Sequence, residues 1–172
     1  MGVPKQTKKL PKTIMHPLKF SFETTLDAPP SEVFQWHKAP DALSKLNPEN
    51  ERVEIVEPAP LESGNKIVLR IKALGMLGIP WIAKLENVEP GKEFVDRQVE
   101  GPFKFWLHRH RFIPTGKEKC IMRDEIYFLL PGGTLVNRLL GWAALRKLRG
   151  VFRQRHAVLL EAFGNGAANT RA

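Results

Sequence analysis

The sequence predicts an α+β fold in which a bent, seven-stranded antiparallel sheet wraps around a long C-terminal helix. Residues 18–131 contain seven strand-length runs that alternate apolar and polar residues and are closed by Gly, Pro or polar pairs. Two short helix-forming stretches follow the first of these runs. Residues 134–163 lack proline and are rich in Leu, Ala and Arg, which favours one long helix.

The strands and short helices are predicted from their own patterns. Between strands, the links SGN, EPGK and PTGKEK are of hairpin length, so the last six strands should form an antiparallel meander. After the first strand, the segment DAPPSEVF opens a short helix carrying Val33, Phe34 and Trp36, and PDALSKLNP forms a second helix that ends at Pro48. The strand sequences are LKFSFETTL, RVEIVEP, NKIVLRIKAL, PWIAKLENVEP, EFVDRQVEG, FKFWLHRHRFIP and KCIMRDEIYFLLP.

The long helix is predicted to begin with Thr134 near its cap. Its residues form two stripes along its length, one apolar and one basic. Gly141 and Gly150 each weaken it by up to ~1 kcal/mol relative to Ala, so we expect a kink or close packing at these positions. The apolar stripe contains Leu145, Leu148, Phe152, His156, Leu159 and Phe163, and the basic stripe contains Arg138, Trp142, Arg146, Arg149 and Arg153.

Length and composition indicate a single domain. We predict a basic tail over residues 1–17, the domain over 18–163 and a disordered tail over 164–172. No run approaches the about 18 apolar residues of a membrane-spanning helix, and the first residues lack the apolar core of a signal peptide. The single cysteine, Cys120, excludes an intramolecular disulfide and is typical of a reducing compartment, so we expect a cytoplasmic protein.

The net charge of +9 is concentrated in two segments. Four lysines lie in residues 1–17 and six basic residues lie in 134–156, and neither segment contains an acid. This pattern predicts a basic face, which would contact an anionic membrane, a nucleic acid or an acidic partner, or would simply be solvated. We expect the membrane contact to involve Arg138, Arg146, Arg149 and Arg153.

The predicted layout is the helix-grip architecture. Within it, the most specific stretch is FVDRQVEGPFKFWLHRHRF, and less specific ones are VFQWHKAPDALSKLNP, PWIAKLE, RDEIYFLLPGG and FRQRH. In these stretches the chain resembles the SRPBCC superfamily, whose members include START-like and birch-pollen-allergen-like proteins, and it is most similar to the bacterial, polyketide cyclase-like branch. Gln154 stands where the pattern usually has an aromatic residue. The resemblance implies a hydrophobic-ligand pocket between the sheet and the C-terminal helix, and it implies no single chemistry.

Strand alternation places polar and apolar residues together on one face of the sheet. That face should present Asp96, Asp124, His108 and His110 beside Trp106. Because buried carboxylates require partners, we expect at least one of these histidines to bond an aspartate. The opposite face carries Arg97, Arg109, Arg111, Arg123 and Glu125 and should be solvated.

Three interpretations of these polar residues remain open. A metal site would use two histidines and two aspartates as ligands, although no established metal motif is present. Acid–base catalysis would use an aspartate to orient His108 or His110. A polar network that fixes the sheet and orients a ligand's polar group is the interpretation we favour, and His156 on the apolar stripe should face the same cavity.

We therefore predict a protein that binds a small hydrophobic or amphipathic ligand, such as a lipid or polyketide-like metabolite, rather than an enzyme. The alternatives are a cyclase- or dehydratase-type enzyme and a module that binds membranes or partners through its basic helix. We expect no metal, no cofactor and no nucleic-acid binding. The predicted ligand-binding residues are Trp81, Asp96, Gln98, Trp106, His108, His110, Phe112, Asp124, Ile126, Phe128, Phe152 and His156.

Overall fold

The computed structural model describes residues 16–47, 53–71, 78–164 and 170–171. Its helices are α1 (Pro30–Lys38), α2 (Ala42–Leu46) and α3 (Thr134–Phe163). Its strands are β1 (Leu18–Leu26), β2 (Val53–Glu57), β3 (Lys66–Ile71), β4 (Ile79–Glu89), β5 (Glu93–Glu100), β6 (Phe105–Gly116), β7 (Lys119–Leu129) and β8 (Thr170–Arg171).

The strands form one antiparallel sheet in the order β2-β3-β4-β5-β6-β7-β1-β8. β2 to β7 form the predicted meander. The last strand of the meander, β7, pairs with β1 along the whole length of β1. α3 packs against this sheet, which confirms the predicted helix-grip fold with its seven main strands and two short helices.

The two predicted tails are mostly outside the described residues. Residues 1–15, 165–169 and 172 are not described, so the predictions of a basic tail and a disordered tail stay predictions there. Within the second tail, Thr170 and Arg171 pair with Thr24 and Glu23 of β1 and so form the short edge strand β8.

Irregular pairing gives the sheet its bend. The register shifts between Ile82 and Ala83 and between Glu86 and Glu89, where β4 pairs with β5. Asn87 lies inside the second irregularity with a φ of 48°, a left-handed conformation that Asn tolerates better than most residues. Such bulges increase local twist and bend a strand, which allows the sheet to curve around α3.

α3 begins as the sequence predicts, with Thr134 next to its cap. Gly133, with φ 76°, is the N-cap residue and Thr134 is the first helical residue. The buried Asn137 accepts a hydrogen bond through Oδ1 from the backbone N of Leu130 (2.8 Å), which holds the β7–α3 connection. None of the helices described here is both long and apolar enough to cross a bilayer.

The core lies between the concave face of the sheet and the predicted apolar stripe of α3. Phe152, His156 and Leu159 of that stripe are buried. One cluster joins α1, α2 and the β1 C-terminal end to the last turns of α3. The second cluster surrounds Phe152 and contains Phe20, Phe22, Trp106, Ile126 and Phe128.

The two glycines inside α3 occupy different surroundings, and this difference makes a testable prediction. A Cβ at Gly141 would lie 2.6 Å from Cδ1 of Leu18, whereas a Cβ at Gly150 would have nothing within 4 Å. We expect Gly150→Ala to raise the free energy of unfolding by about 0.5–1 kcal/mol, because alanine favours the helix. Gly141→Ala should raise the free energy of unfolding by less than Gly150→Ala does, because the Leu18 side chain must move to make room for the new Cβ. Urea unfolding of both variants measures this, and a destabilised Gly150→Ala protein would contradict it.

Candidate functional site

The candidate site is built by cross-strand pairs on the concave face of β5, β6 and β7. Asp96 lies directly opposite His108, and His110 lies directly opposite Asp124. His108 and His110 are two residues apart on one strand, so their side chains share a face. Their ring centroids lie 3.8 Å apart. The pleat alone therefore brings two imidazoles between two carboxylates.

Asp124 is the centre of this group, which we call the Asp–His cluster (Asp96, His108, His110, Asp124 and His156). Its Oδ1 accepts a hydrogen bond from Nε2 of His108 at 2.8 Å, and its Oδ2 accepts one from Nε2 of His156 at 2.6 Å. Nδ1 of His110 lies 2.9 Å from Oδ1 but lacks hydrogen-bond geometry, so this is a close contact without a hydrogen bond. The predicted bond between an aspartate and one of the two strand histidines is thus confirmed.

Asp96 closes the other side of the cluster. Its Oδ2 accepts a hydrogen bond from Nε2 of His110 at 3.1 Å and lies 3.1 Å from Nδ1 of His108. Its Oδ1 accepts a long and weak hydrogen bond from Nε1 of Trp106 at 3.4 Å. The Asp96 side chain is 20% exposed, against 5% for Asp124. Asp96 is therefore the carboxylate of the cluster that an incoming molecule can reach.

The cluster is held together by opposite charges in a mostly buried environment. Burial lowers the pKa of His108, but the adjacent Asp96 and Asp124 carboxylates outweigh burial and raise that pKa to about 9. Burial raises the pKa of Asp96 and Asp124, but the neighbouring histidines more than offset it and hold both pKa values below the usual range. At neutral pH, His108 is therefore an imidazolium between two carboxylates.

His37 of α1 is a member of the site that the sequence analysis missed. Its Nδ1 donates a hydrogen bond to the Val33 carbonyl (2.7 Å), which leaves Nε2 without a proton. Burial lowers its pKa to about 4, although the Val33 bond opposes this. The signal was available, because His37 lies three and four residues after the two apolar residues Phe34 and Val33, on the inward face of α1.

A small cavity lies beside the Asp–His cluster, between the sheet and the three helices α1, α2 and α3. Its free volume is about 10 Å³, which holds roughly one water molecule. The predicted cavity position is thus occupied mainly by side chains in this structure. The lining residues are His37, Leu46, His110, Met122, Asp124, Phe152, Arg155, His156 and Leu159.

The other predicted site residues lie around the cluster in different roles. Gln98 points its amide at the β5–β6 link, where Nε2 donates to the Phe103 carbonyl (2.7 Å) and Oε1 accepts from the Phe103 backbone N (3.3 Å). Trp81 is half-buried and contacts Trp106 edge to face, with ring centroids 5.1 Å apart. Phe112, Ile126, Phe128 and Phe152 are buried core residues. A ligand-binding role for all of these stays a prediction.

The cluster also has a geometry compatible with a metal ion. Ligand atoms of Asp96, His108 and His110 lie within 4.8 Å of one another. A metal ligand must be neutral imidazole, whereas the raised pKa of His108 favours its protonated form. Both ring nitrogens of His108 already face a carboxylate oxygen. Asp96 and His108 thus have hydrogen-bonding or ion-pair partners without an ion, whereas Nδ1 of His110 has no hydrogen-bond partner among the described residues.

On the opposite face of the sheet, the predicted arginines form ion pairs near the solvent. Arg97 donates two hydrogen bonds to Glu86, at 2.7 and 3.1 Å. Arg123 donates one to Glu23 at 2.7 Å. Glu125 differs from the expected solvated residue, because it is buried under Lys19 and Arg111. The polar cluster is thus confined to the concave face, and the convex face is stabilised by ordinary surface pairs.

Solved structures share this architecture. The nucleoside-diphosphate sugar epimerase from Corynebacterium glutamicum matches with a TM-score of 0.64 and 21% identity, over 83% of this chain and 28% of that chain. Norcoclaurine synthase from Thalictrum flavum, in complex with dopamine and hydroxybenzaldehyde, matches with a TM-score of 0.59 and 16% identity, over 86% and 88% of the two chains. The Zhui aromatase/cyclase from Streptomyces sp. R1128 matches with a TM-score of 0.57 and 19% identity, over 86% and 91%.

These identities are low, so the solved structures establish the fold and not the activity. Among curated proteins, none matches the sequence. The sequence does match a family model, described as polyketide cyclase / dehydrase and lipid transport, over residues 26–156. That range includes both short helices, all six meander strands and most of α3 with its His156. The chain therefore belongs to the polyketide cyclase/dehydrase and lipid transport family.

Proposed function

We propose that the protein binds a small amphipathic molecule, whose polar group bonds Asp96 and whose apolar part lies against Trp81 and Trp106. The observation that carries this proposal is the partly exposed Asp96 in a cluster that is otherwise nearly buried. Among the residues that the structure describes, its Oδ1 receives only the long bond from Trp106, so it can accept a hydrogen bond from a hydroxyl or an amine. Family membership supports a ligand-binding or cyclase role of this kind.

Half-buried apolar residues around the cluster that contains Trp106 and Phe152 supply the remaining part of the proposed site. Trp81, Phe103, Leu145 and Leu148 pack against the Phe152 cluster without being buried completely. Nε1 of Trp81 is buried and has no hydrogen-bond partner in the part of the chain that the structure describes. An indole N–H in an apolar wall can donate to a ligand oxygen, and binding pockets commonly combine such walls with a few polar groups.

Two measurements test ligand binding. Native mass spectrometry of the purified protein should show a co-purified lipid or metabolite. Titration with N-phenyl-1-naphthylamine, a neutral apolar amine, should raise the probe's fluorescence, and Trp81→Ala should weaken this binding about tenfold through lost apolar contact. Val56→Ala is the control and should have no effect, because Val56 is exposed on the edge strand β2, outside both the proposed ligand site and α3. Equal loss in both variants, or no binding of any molecule, would contradict the proposal.

An enzyme of cyclase or dehydratase type is the alternative, and His37 supports it most directly. His37 lines the cavity with His110 and Asp124 and is neutral with an unprotonated Nε2, so it has the form of a general base. His108 and His156 are less suited to this role, because both are buried and bonded to Asp124. We favour binding because the charged groups of the cluster satisfy one another.

We also propose a peripheral contact of α3 with anionic surfaces through Arg138, Arg146, Arg149 and Arg153. All four are exposed, and residues 134–156 contain no acid that would neutralise them. A cytoplasmic location remains our proposal as well, supported by the single cysteine: Cys120 is buried, and burial raises its pKa to about 11, so it is an unreactive thiol.

A further inference from the structure

The first half of α3 exposes large apolar side chains to solvent. Leu135 is 68% exposed, Leu139 is 61% exposed and Trp142 is 68% exposed. Their spacing of four and three residues places them on one side of the helix. The opposite side of this half-helix meets the sheet, where Gly141 lies against Leu18. Large apolar groups exposed next to one another mark an interaction surface rather than a solvated face.

The four exposed arginines continue the same side of the helix. Arg138 lies between the apolar residues, and Arg146, Arg149 and Arg153 follow at steps of three or four residues after Trp142. We call these seven residues the α3 outer stripe: Leu135, Arg138, Leu139, Trp142, Arg146, Arg149 and Arg153. Its first part is mainly apolar and its second part is basic.

We propose that the α3 outer stripe docks on an anionic phospholipid bilayer, with Leu135, Leu139 and Trp142 inserted among the acyl chains and the arginines at the phosphates. This inference extends the electrostatic contact proposed above and is independent of the ligand site. Indole rings favour the membrane–water boundary, and arginine binds lipid phosphates. A positive stripe with apolar anchors matches the two components of an anionic bilayer surface.

Other partners fit this stripe less well. Two copies that paired symmetrically through it would place arginines against arginines if the helices were parallel, or against the apolar residues if they were antiparallel, and neither arrangement neutralises the arginine charges. A nucleic acid would pair the arginines with phosphates but would leave Leu135 and Leu139 without apolar contacts. The bilayer is the partner that satisfies both kinds of side chain.

Vesicle co-sedimentation with two matched variants tests the proposal. The wild-type protein should bind phosphatidylcholine vesicles containing about 30% phosphatidylglycerol, and part of this binding should survive high salt. Changing Leu135, Leu139 and Trp142 to Ser should reduce binding about tenfold or more and remove the salt-resistant part. Changing the four arginines to Ser should remove the salt-sensitive part. Circular dichroism confirms that both variants are folded.

Insertion is tested separately with brominated lipids, which quench tryptophans that reach the acyl chains. Quenching should occur in the wild-type protein and should be lost in Trp142→Phe, which keeps an apolar ring at the same place. If only the arginine variant loses vesicle binding and Trp142 is not quenched, the contact is purely electrostatic and this inference is wrong, although the arginine proposal survives. If wild type does not bind vesicles, both are wrong. A dimer that disperses in the apolar variant, without vesicle binding, would assign the stripe to a second copy.

Discussion

Replacing Asp124 by alanine should lower the free energy of unfolding by about 3–5 kcal/mol, which is the typical effect of breaking a buried charged pair. Asp124 is 5% exposed and its two oxygens receive hydrogen bonds from His108 and His156. Without this carboxylate, the buried imidazoles of His108 and His156 lose their shared acceptor, and the positive charge of His108 remains beside Asp96 alone. Urea unfolding followed by tryptophan fluorescence gives the value.

Glu86 provides the control, because it pairs with an arginine at the surface of the same sheet. Its carboxylate accepts hydrogen bonds from Arg97, and both side chains are partly exposed. Glu86→Ala should therefore cost no more than about 1 kcal/mol. An Asp124→Ala protein that unfolds at the wild-type urea concentration would contradict a structural role. If that protein had also lost a measurable turnover, or if wild type contained a transition metal at full occupancy, the cluster would be a catalytic or metal site instead.

The concave face of the sheet was predictable because side chains alternate strictly along a strand. The pattern of Trp106, His108 and His110, together with Asp124 on the next strand, was sufficient to predict their common orientation and the aspartate–histidine bond. The fold followed from the same alternation, from the short links and from the proline-free segment that became α3. These are local signals, and local signals were reliable here.

Contacts that depend on packing between distant elements were not predictable in the same way. His37 enters the site because α1 packs on the concave face of the sheet. The centroid of its ring lies 5.2 Å from that of Phe112 and 6.3 Å from that of His110. Gln98 turns to the backbone of Phe103, because the β5–β6 link places that backbone within its reach. The small volume of the cavity depends on how all these side chains fill the space, which no residue pattern encodes.

The stability of the protein should have a maximum near pH 6.5, because His108 and His37 depart from the ordinary histidine pKa of 6.5 in opposite directions. The pKa of His108 is raised to about 9 in the folded state, so its stabilising effect is complete below pH 6.5. Between pH 6.5 and about 9 the folded protein binds one proton more than the unfolded chain. The free energy of unfolding should therefore fall by up to about 1.4 kcal/mol per pH unit across that range.

His37 produces the acid side of the maximum. Its pKa is lowered to about 4 in the folded state, so between pH 6.5 and 4 the unfolded chain binds the extra proton and stability falls as the pH falls. The neighbouring titratable groups that influence its pKa are His110, Asp124 and His156. Below about pH 4 the lowered pKa values of Asp96 and Asp124 add a further loss, since both carboxylates lose their ion pairs when they are protonated.

Urea unfolding at a series of pH values tests both sides, and one variant isolates each. His37→Asn keeps a side-chain N–H near the Val33 carbonyl but cannot titrate, so it should flatten the curve between pH 4 and 6.5 and leave the alkaline side unchanged. Asp96→Asn removes a charge that raises the pKa of His108. In this variant the free energy of unfolding should therefore stop falling at a lower pH than in wild type. A wild-type curve that rises steadily from pH 6.5 to 9 would show that His108 is neutral in the folded protein. The Asp–His cluster would then be held by neutral hydrogen bonds rather than by the paired charges inferred here.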